Sequence, residues 1–444
     1  MRIAWLTPLT FGSGVSRFSL SVVRALNSLE GIDVDVWHSP SENDVDCPWA
    51  PTFSLADLGA KGLDGYDTVI FNLGNHPGNH AAIYECYRRT RGIVVLHDRV
   101  MQDFFFSYAS ESRKNPMLYA CLMGYVYGAE AAQLAIDIVL QGQTAALWEE
   151  ASARFPLFEP CLFNASGVVT HSYEAYAKVN SRYPGLLPSV QLEHPYYLYA
   201  LASDSKPPLS RVDLAIPDDK VLVVASGRIS PQKRIDVVMS ALATDPELKA
   251  RALLVIAGGG DADCIEHLRS LSRELGLEDT TRFVVDPDDR TMQSLVSLAD
   301  VAVNLRHPST ESASGSLIEQ IYFRKPVIVS KIGVYDELPD DVVVKVSLED
   351  EKAELGKALR RLVLDTTFRE NTVVSVRTYA ESHFSSKTYA ERLVAFAADP
   401  RICTDILSRA DARAAQLRGG RLESMRSAVA EAAAELMAGG ADEA

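Results

Sequence analysis

Short apolar, β-branched runs recur along the chain. Each ends in Gly, Ser, Asn, His or Asp before a helical stretch begins. "RIAWLTP" leads to "FGSG" and "TVIFNLG" to "NHPGNH"; "GIVVLHD" and "GVVTHS" follow, then "VLVVASGRI", "ALLVIAGGG", "RFVVDPDD", "DVAVNLRHPS" and "PVIVSKIG". Runs that are apolar throughout fit strands buried on both faces, and their alternation with helices predicts parallel sheets. The set divides at "ASDSKPPLSRVDLAIPDD", which is rich in Pro, Asp and Ser. Two doubly wound α/β domains are therefore expected, at 1–203 and 204–385, followed by a helical region at 386–444. Residues 117–150 read as one long helical insertion in the first domain. In the tail, Leu422, Met425, Val429, Ala432 and Leu436 fall at helical spacing after Gly419–Gly420, which predicts a helix packed on its own protein.

Composition sets the outer bounds. At 444 residues the chain exceeds one ordinary core. Its 47% apolar and 23% charged residues are those of a soluble globular protein. A net charge of −15 argues against a general nucleic-acid binder. The basic run Arg88, Arg89, Arg91 reads as a solvated helix end. The six cysteines show no CxxC pair and no regular spacing, so reduced cytosolic thiols are expected. "MRIAWLTPLTF" runs straight into a strand pattern without a leader, and no apolar run approaches ~18 residues. A cytoplasmic protein is expected; attachment to the inner membrane surface stays open, as does a homo-oligomer.

In open parallel sheets, ligands bind beyond the carboxyl ends of the strands, and the polar residues above occupy those ends. Gly12 and Gly14 in "FGSG" would let a ligand approach the start of a helix. A dinucleotide fingerprint fails, because Arg17 stands where a third glycine is needed. "LGNHPGNH" and "LHD" supply Asn75, His76, His80, His97 and Asp98. None recurs at metal-ligand spacing, so no metal is expected. A histidine closing a buried strand can also satisfy backbone groups; His76 stays open between the two roles, and His97 beside Asp98 is read as functional. In "SGRISPQKRID", Gly227 follows a strand, and Arg228 and Lys233 suit a diphosphate. Cations near a helix start need an anionic partner.

"TESASGSLIEQI" places Glu311 and Glu319 eight steps apart. On one helix they would diverge by roughly 80°. With Ser314 as N-cap and Gly315 and Ser316 opening a helix, Glu311 lies on the loop and Glu319 within the helix. The bend can then aim both carboxylates at one ligand, with free amides between them. Carboxylates beside an anion site repel the ligand unless they accept hydroxyl protons. A nucleotide sugar offers both phosphate and hydroxyls.

The paired motifs "SGRISPQKR" and "ESASGSLIE" resemble those of retaining glycosyltransferases of family 4. "LGNHPGNH...IYE", "VVLHD", "THS" and "RKPVIVSKIGVYDELP" are similar to that family in order and spacing, over roughly residues 1 to 395. The resemblance implies the GT-B fold, two Rossmann-like domains facing a cleft, with helices after 386 that partly return to the first domain. It implies a metal-independent enzyme without a cofactor, using a UDP- or GDP-linked sugar. The acceptor would be a glycan, a lipid-linked saccharide or a glycoconjugate, in polysaccharide biosynthesis. Arg228 and Lys233 would hold the diphosphate, Glu311 the transferred sugar and Glu319 the ribose. His97 would sit near the anomeric centre, and Gly12 and Gly14 near phosphate or acceptor. Asp286, after "RFVV", would touch the base, while Asn75, His80 and Asp98 would lie on the acceptor side. The family's glycine after the first glutamate is Ser312 here. A GT-B epimerase and a non-catalytic glycosyltransferase-like subunit remain alternatives; the intact charged positions speak against the latter.

Overall fold

The computed structural model describes residues 1–60, 62–142, 151–196 and 208–399. Seven parallel strands form the first sheet: β1 (Arg2–Leu6), β2 (Asp33–His38), β3 (Thr52–Ser54), β4 (Thr68–Leu73), β5 (Gly92–Leu96), β6 (Ala165–Thr170) and β7 (Ser189–Gln191), in the order β3-β2-β1-β4-β5-β6-β7. Six more form the second: β8 (Val221–Ser226), β9 (Ala252–Gly258), β10 (Thr281–Val285), β11 (Val301–Asn304), β12 (Val327–Ser330) and β13 (Val343–Val346), in the order β10-β9-β8-β11-β12-β13. Every residue of β4, β6, β8 and β9 is buried, as strands covered by helices on both faces require. Strand order reverses between β1 and β4 and again between β8 and β11. Those two switch points open the crevices where ligands bind in such sheets.

One expectation changes. The insertion is not one helix: it breaks at Gly128, with φ of +89°, into Met117–Tyr127 and Ala129–Gln141, which pack on each other. A glycine there reverses the chain at no steric cost. After the second domain the chain crosses back, and the helix Ser386–Ala397 packs Tyr389, Ala390, Leu393 and Ala397 into the first domain's core beside Phe18 and Val22. The expected boundary at 203–204, the end of the insertion at 143–150 and the tail helix within 402–437 lie outside the described residues. Among the described residues no helix is long and apolar enough to cross a membrane.

The two domains touch around the crevice. Asp98 and Glu311 form an antiparallel bridge, with Ser312 N–H donating to the His97 carbonyl at 3.0 Å and Arg99 N–H to the Thr310 carbonyl at 3.0 Å. Arg17 pairs with Asp289 at 2.8 Å. The Glu337 carboxylate of the second domain accepts the N–H groups of Tyr173 and Glu174 at 2.8 and 2.7 Å, capping a first-domain helix with negative charge.

Candidate active site

A cavity of about 540 Å³ lies between the carboxyl ends of the two sheets. On the first-domain side it is lined by Gly12, Gly14, Asn75, His76, His80, His97 and Asp98; Arg228, Ala313 and Gly315 face them from the second domain. The loop after β1 turns at Gly12, with φ of +81°, and Ser13 caps the helix Gly14–Asn27 by accepting from Ser16 N–H. Gly74, which closes β4, has no room for a side chain: a Cβ there would sit 2.9 Å from His80 Nε2 and 3.1 Å from Asp98 Oδ2. Asn75 knits this wall together. Its N–H donates to Asp98 Oδ2 at 2.7 Å, its amide nitrogen to Asp103 Oδ2 at 3.3 Å, and its amide oxygen accepts from Phe104 N–H. Burial pushes the carboxyls of Asp98 and Asp103 up to about 7, against the Asn75 bond to Asp98.

His80 and His97 both answer to Asn72, the buried penultimate residue of β4. His80 Nδ1 bonds the Asn72 carbonyl at 3.0 Å, and His97 Nε2 bonds Asn72 Oδ1 at 3.0 Å. His171 and His194, which follow β6 and β7, join His97 around the ring of Phe18, with ring centroids 4.8 to 5.3 Å from it. The sequence held no sign of this trio, because three separate strands bring it together. Nitrogens of the three rings lie within 4.8 Å of one another. Tetrahedral zinc would want about 3.4 Å between ligand nitrogens, from Zn–N bonds of about 2.1 Å. The trio is better described as packed neutral rings. Burial lowers the pKa of His80 and His171 to about 4, and that of His97 and His194 well below the ordinary range.

A stability effect follows. Between about pH 6.5 and 4 the unfolded chain protonates His171 and the folded chain does not, so folding loses stability as pH falls through that window. In His171→Gln that penalty is absent. Relative to the native chain, the variant is expected to gain about 2 kcal/mol between pH 7.5 and pH 5. Urea unfolding of both proteins at the two pH values measures it; a constant difference would contradict the buried neutral ring.

On the second-domain side, Gly227 (φ +104°) lets the chain leave β8 sharply, and Arg228 enters the cavity. No carboxylate pairs with Arg228 among the described residues. Lys233 is buried. Its Nζ donates to the Ser226 carbonyl at 3.2 Å, to Asn304 Oδ1 at 3.3 Å and to Ser316 Oγ at 3.0 Å. Burial drives this amine well below its ordinary pKa; the nearby Arg306 charge adds to the shift and Glu311 opposes it. Asn304 also bonds Ser316 and Gln320, and Gln320 bonds Ser226, so a closed polar network stands under the lysine. The glycines of "AGGG" make room for the loop that carries Arg228. A Cβ on Gly258 would lie 2.0 Å from the Gly227 carbonyl oxygen, and one on Gly260 would lie 2.3 Å from that of Ile229. Asp286 takes a left-handed φ of +48° at the end of β10, beside Gly259 and outside the cavity lining.

The helix Gly315–Tyr322 points its N-terminus at the cavity. Ser314 holds the cap position, but its side chain makes no cap bond, contrary to the expected role; its hydroxyl lies 3.4 Å from Ser316 Oγ. The first-turn amides therefore have neither an intrahelical partner nor a side-chain cap. Glu319 is buried on this helix and does not line the cavity. Glu311 also differs from expectation. It is not an open carboxylate: Oε1 accepts from Arg306 Nε at 2.8 Å and from the Tyr335 hydroxyl at 2.5 Å. Burial alone would raise its pKa, yet Arg306 and Tyr335 hold it below the ordinary value. Neither partner was singled out from the sequence. An arginine closing an apolar strand was the available signal, since such a charge needs a counter-ion.

Residues 208–378 match the family described as glycosyl transferases group 1. The D-inositol 3-phosphate glycosyltransferase of Saccharomonospora viridis is 29% identical over 202 residues, covering 42% of this chain and 46% of that protein. D-inositol 3-phosphate glycosyltransferase 2 of Catenulispora acidiphila is 30% identical over 132 residues, covering 28% of this chain and 30% of that protein. The chain thus spans less than half the length of these curated relatives. Among solved structures, the sucrose-phosphate synthase of Thermosynechococcus elongatus superposes with a TM-score of 0.61 at 18% identity, over 88% of this chain and 97% of that one. Anabaena HepE, solved in complex with UDP, superposes with a TM-score of 0.59 at 14% identity, over 89% of this chain and 98% of that one. At such identities the likeness is one of fold.

Proposed function

We propose that this chain is a group 1 glycosyltransferase that moves a sugar from a nucleoside-diphosphate sugar to an acceptor hydroxyl, with retention and without a metal ion; the family match over residues 208–378 and the shared GT-B fold support the reading. The observation that carries this reading is the cation set at the second switch point. Arg228 enters the cavity with no carboxylate partner among the described residues, Lys233 is buried among neutral oxygens, and an uncapped helix N-terminus faces the same space. Such an assembly is built for an anion.

Charge gathers on the diphosphate as the anomeric C–O bond breaks, and these groups meet it without reorganising. The acceptor oxygen forms its bond to the anomeric carbon on the same face, and a departing phosphate oxygen takes its proton. Glu311 accepts hydroxyl protons of the transferred sugar; Glu319, buried and outside the cavity lining, is left without the expected role at the ribose. His97, which lines the cavity and is held neutral against Asn72, is assigned to the anomeric centre of the sugar. Asn75, His80 and Asp98, which line the first-domain wall of the cavity, are assigned to the acceptor. The acceptor is a glycan, a lipid-linked saccharide or a glycoconjugate, met on the cytoplasmic side of a membrane.

Calorimetric titration with UDP, GDP, ADP and their sugars tests the reading. UDP heads the donor panel because HepE was solved with it, and a phosphorylated inositol heads the acceptor panel because the curated relatives carry that name. One donor should bind, transfer should survive a chelator, and Arg228→Ala should weaken donor binding at least tenfold, on the order of one charge-assisted contact. If no nucleotide binds, the proposal is lost.

A further inference from the structure

We infer that Arg306 and Tyr335 are positioning residues that fix Glu311 so that its second carboxylate oxygen, Oε2, meets the sugar of the donor. The inference rests on the function proposed above. Both bonds converge on Oε1: Arg306 Nε at 2.8 Å and the Tyr335 hydroxyl at 2.5 Å. Arg306 Nε also lies 3.2 Å from the Tyr335 oxygen, closing a triangle. Oε2 accepts no bond from another side chain among the described residues. The Arg306 main chain is pinned as well, its N–H donating to Ser330 Oγ at 2.9 Å. The main chain of residue 311 is fixed from the other domain, through its bridge to Asp98 and the Ser312 bond to the His97 carbonyl. Side chain and backbone are thus held by different domains. Once the domains meet at residues 97–99 and 310–312, the direction of Oε2 is set relative to His97.

Stability alone does not account for the trio. Arg306 and Glu311 have side chains only 12% and 15% exposed, and Tyr335 is fully buried. A buried ion pair of this kind is a poor stabiliser compared with apolar packing of the same volume. What it secures is the ionised state. A carboxylate must be deprotonated to accept a sugar hydroxyl, and burial would otherwise favour the acid.

Tyr335→Phe removes one oxygen and keeps the ring, so it separates position from packing. Kd for the nucleoside diphosphate, and kcat and KM for the matching nucleotide sugar, are measured on the native chain, Tyr335→Phe, Arg306→Lys, Glu311→Gln and the double variant Tyr335→Phe/Glu311→Gln. Tyr335→Phe is expected to lower kcat/KM about tenfold and Arg306→Lys more, the loss of hydrogen bonds to a charged group. Affinity for the sugar-free diphosphate should stay within about twofold, since that ligand lacks the hydroxyls Glu311 would bind. The double variant should be no worse than Glu311→Gln alone, because Tyr335 acts through it. Equal losses for diphosphate and nucleotide sugar, or additive losses in the double variant, would overturn the inference. A native chain that binds no nucleoside diphosphate would overturn the underlying function instead.

Discussion

Lys233→Met is expected to cut sugar transfer about a thousandfold, the scale of losing one preorganised group that stabilises developing charge. Methionine nearly matches the lysine stem in length and fills the same buried channel beneath Gly227. What disappears is the ammonium, which Ser226, Asn304 and Ser316 hold in place. The fold should survive. Burial presses this amine well below its ordinary pKa, so the native chain gives up stability at neutral pH by keeping it inside. Against that gain stand the Ser226 carbonyl and Asn304 oxygen left without their donor, at about 1–3 kcal/mol. The two terms oppose, and the melting temperature should move little. Lys233→Arg is expected to fail as well. A Cβ at Gly227 would already approach Nζ to 3.3 Å, which leaves little room for a guanidinium. Single-turnover transfer and donor affinity distinguish the outcomes. Transfer within tenfold of native in Lys233→Met would remove this residue from the chemistry.

How far the sequence carried differs between the sheets and the site. All nine apolar runs quoted from it are strands, because a strand buried on both faces must be apolar throughout and its polar terminus marks where the chain leaves the sheet. β2 escaped notice because "DVDVWH" alternates aspartate with valine near a sheet edge, where one face is less covered. Gly128 hid inside a helical pattern that reads smoothly on either side of it. In the site, Gly227, Arg228, Lys233 and Gly315 stood out because they lie in short local motifs at a strand end. Asn304 with Gln320, Glu311 with Arg306 and Tyr335, and the three histidines around Phe18 did not. Each of those groups forms where separate strands end side by side. Periodicity reports which face of an element is buried, not which neighbour it meets there.

The same close packing makes Gly258→Ala the substitution expected to damage the second domain most. Gly258 ends β9 with φ of +149°, which L residues rarely adopt, and a Cβ there would stand 2.0 Å from the Gly227 carbonyl oxygen. The obstacle is backbone, so no rotamer relieves it. Nor can the segment slide freely: Gly227 N–H bonds the Ala257 carbonyl at 3.0 Å and Ile229 N–H bonds that of Gly259 at 2.7 Å. Alanine must push residues 227–229 away and carry Arg228 out of the cavity. A loss on the order of 4 kcal/mol or more is expected, the range reserved for severe buried strain, together with loss of donor binding. Gly259→Ala provides the control one position along. Its Cβ would lie 2.3 Å from Asp286 Oδ1, the end of an exposed side chain that can rotate away. It should cost little, and less still combined with Asp286→Ala. Urea unfolding of the three variants tests this. If Gly258→Ala unfolds within about 1 kcal/mol of the native chain, the β9 terminus does not brace the loop that presents Arg228 and Lys233, and the cation site must be held by the polar network beneath Lys233 alone.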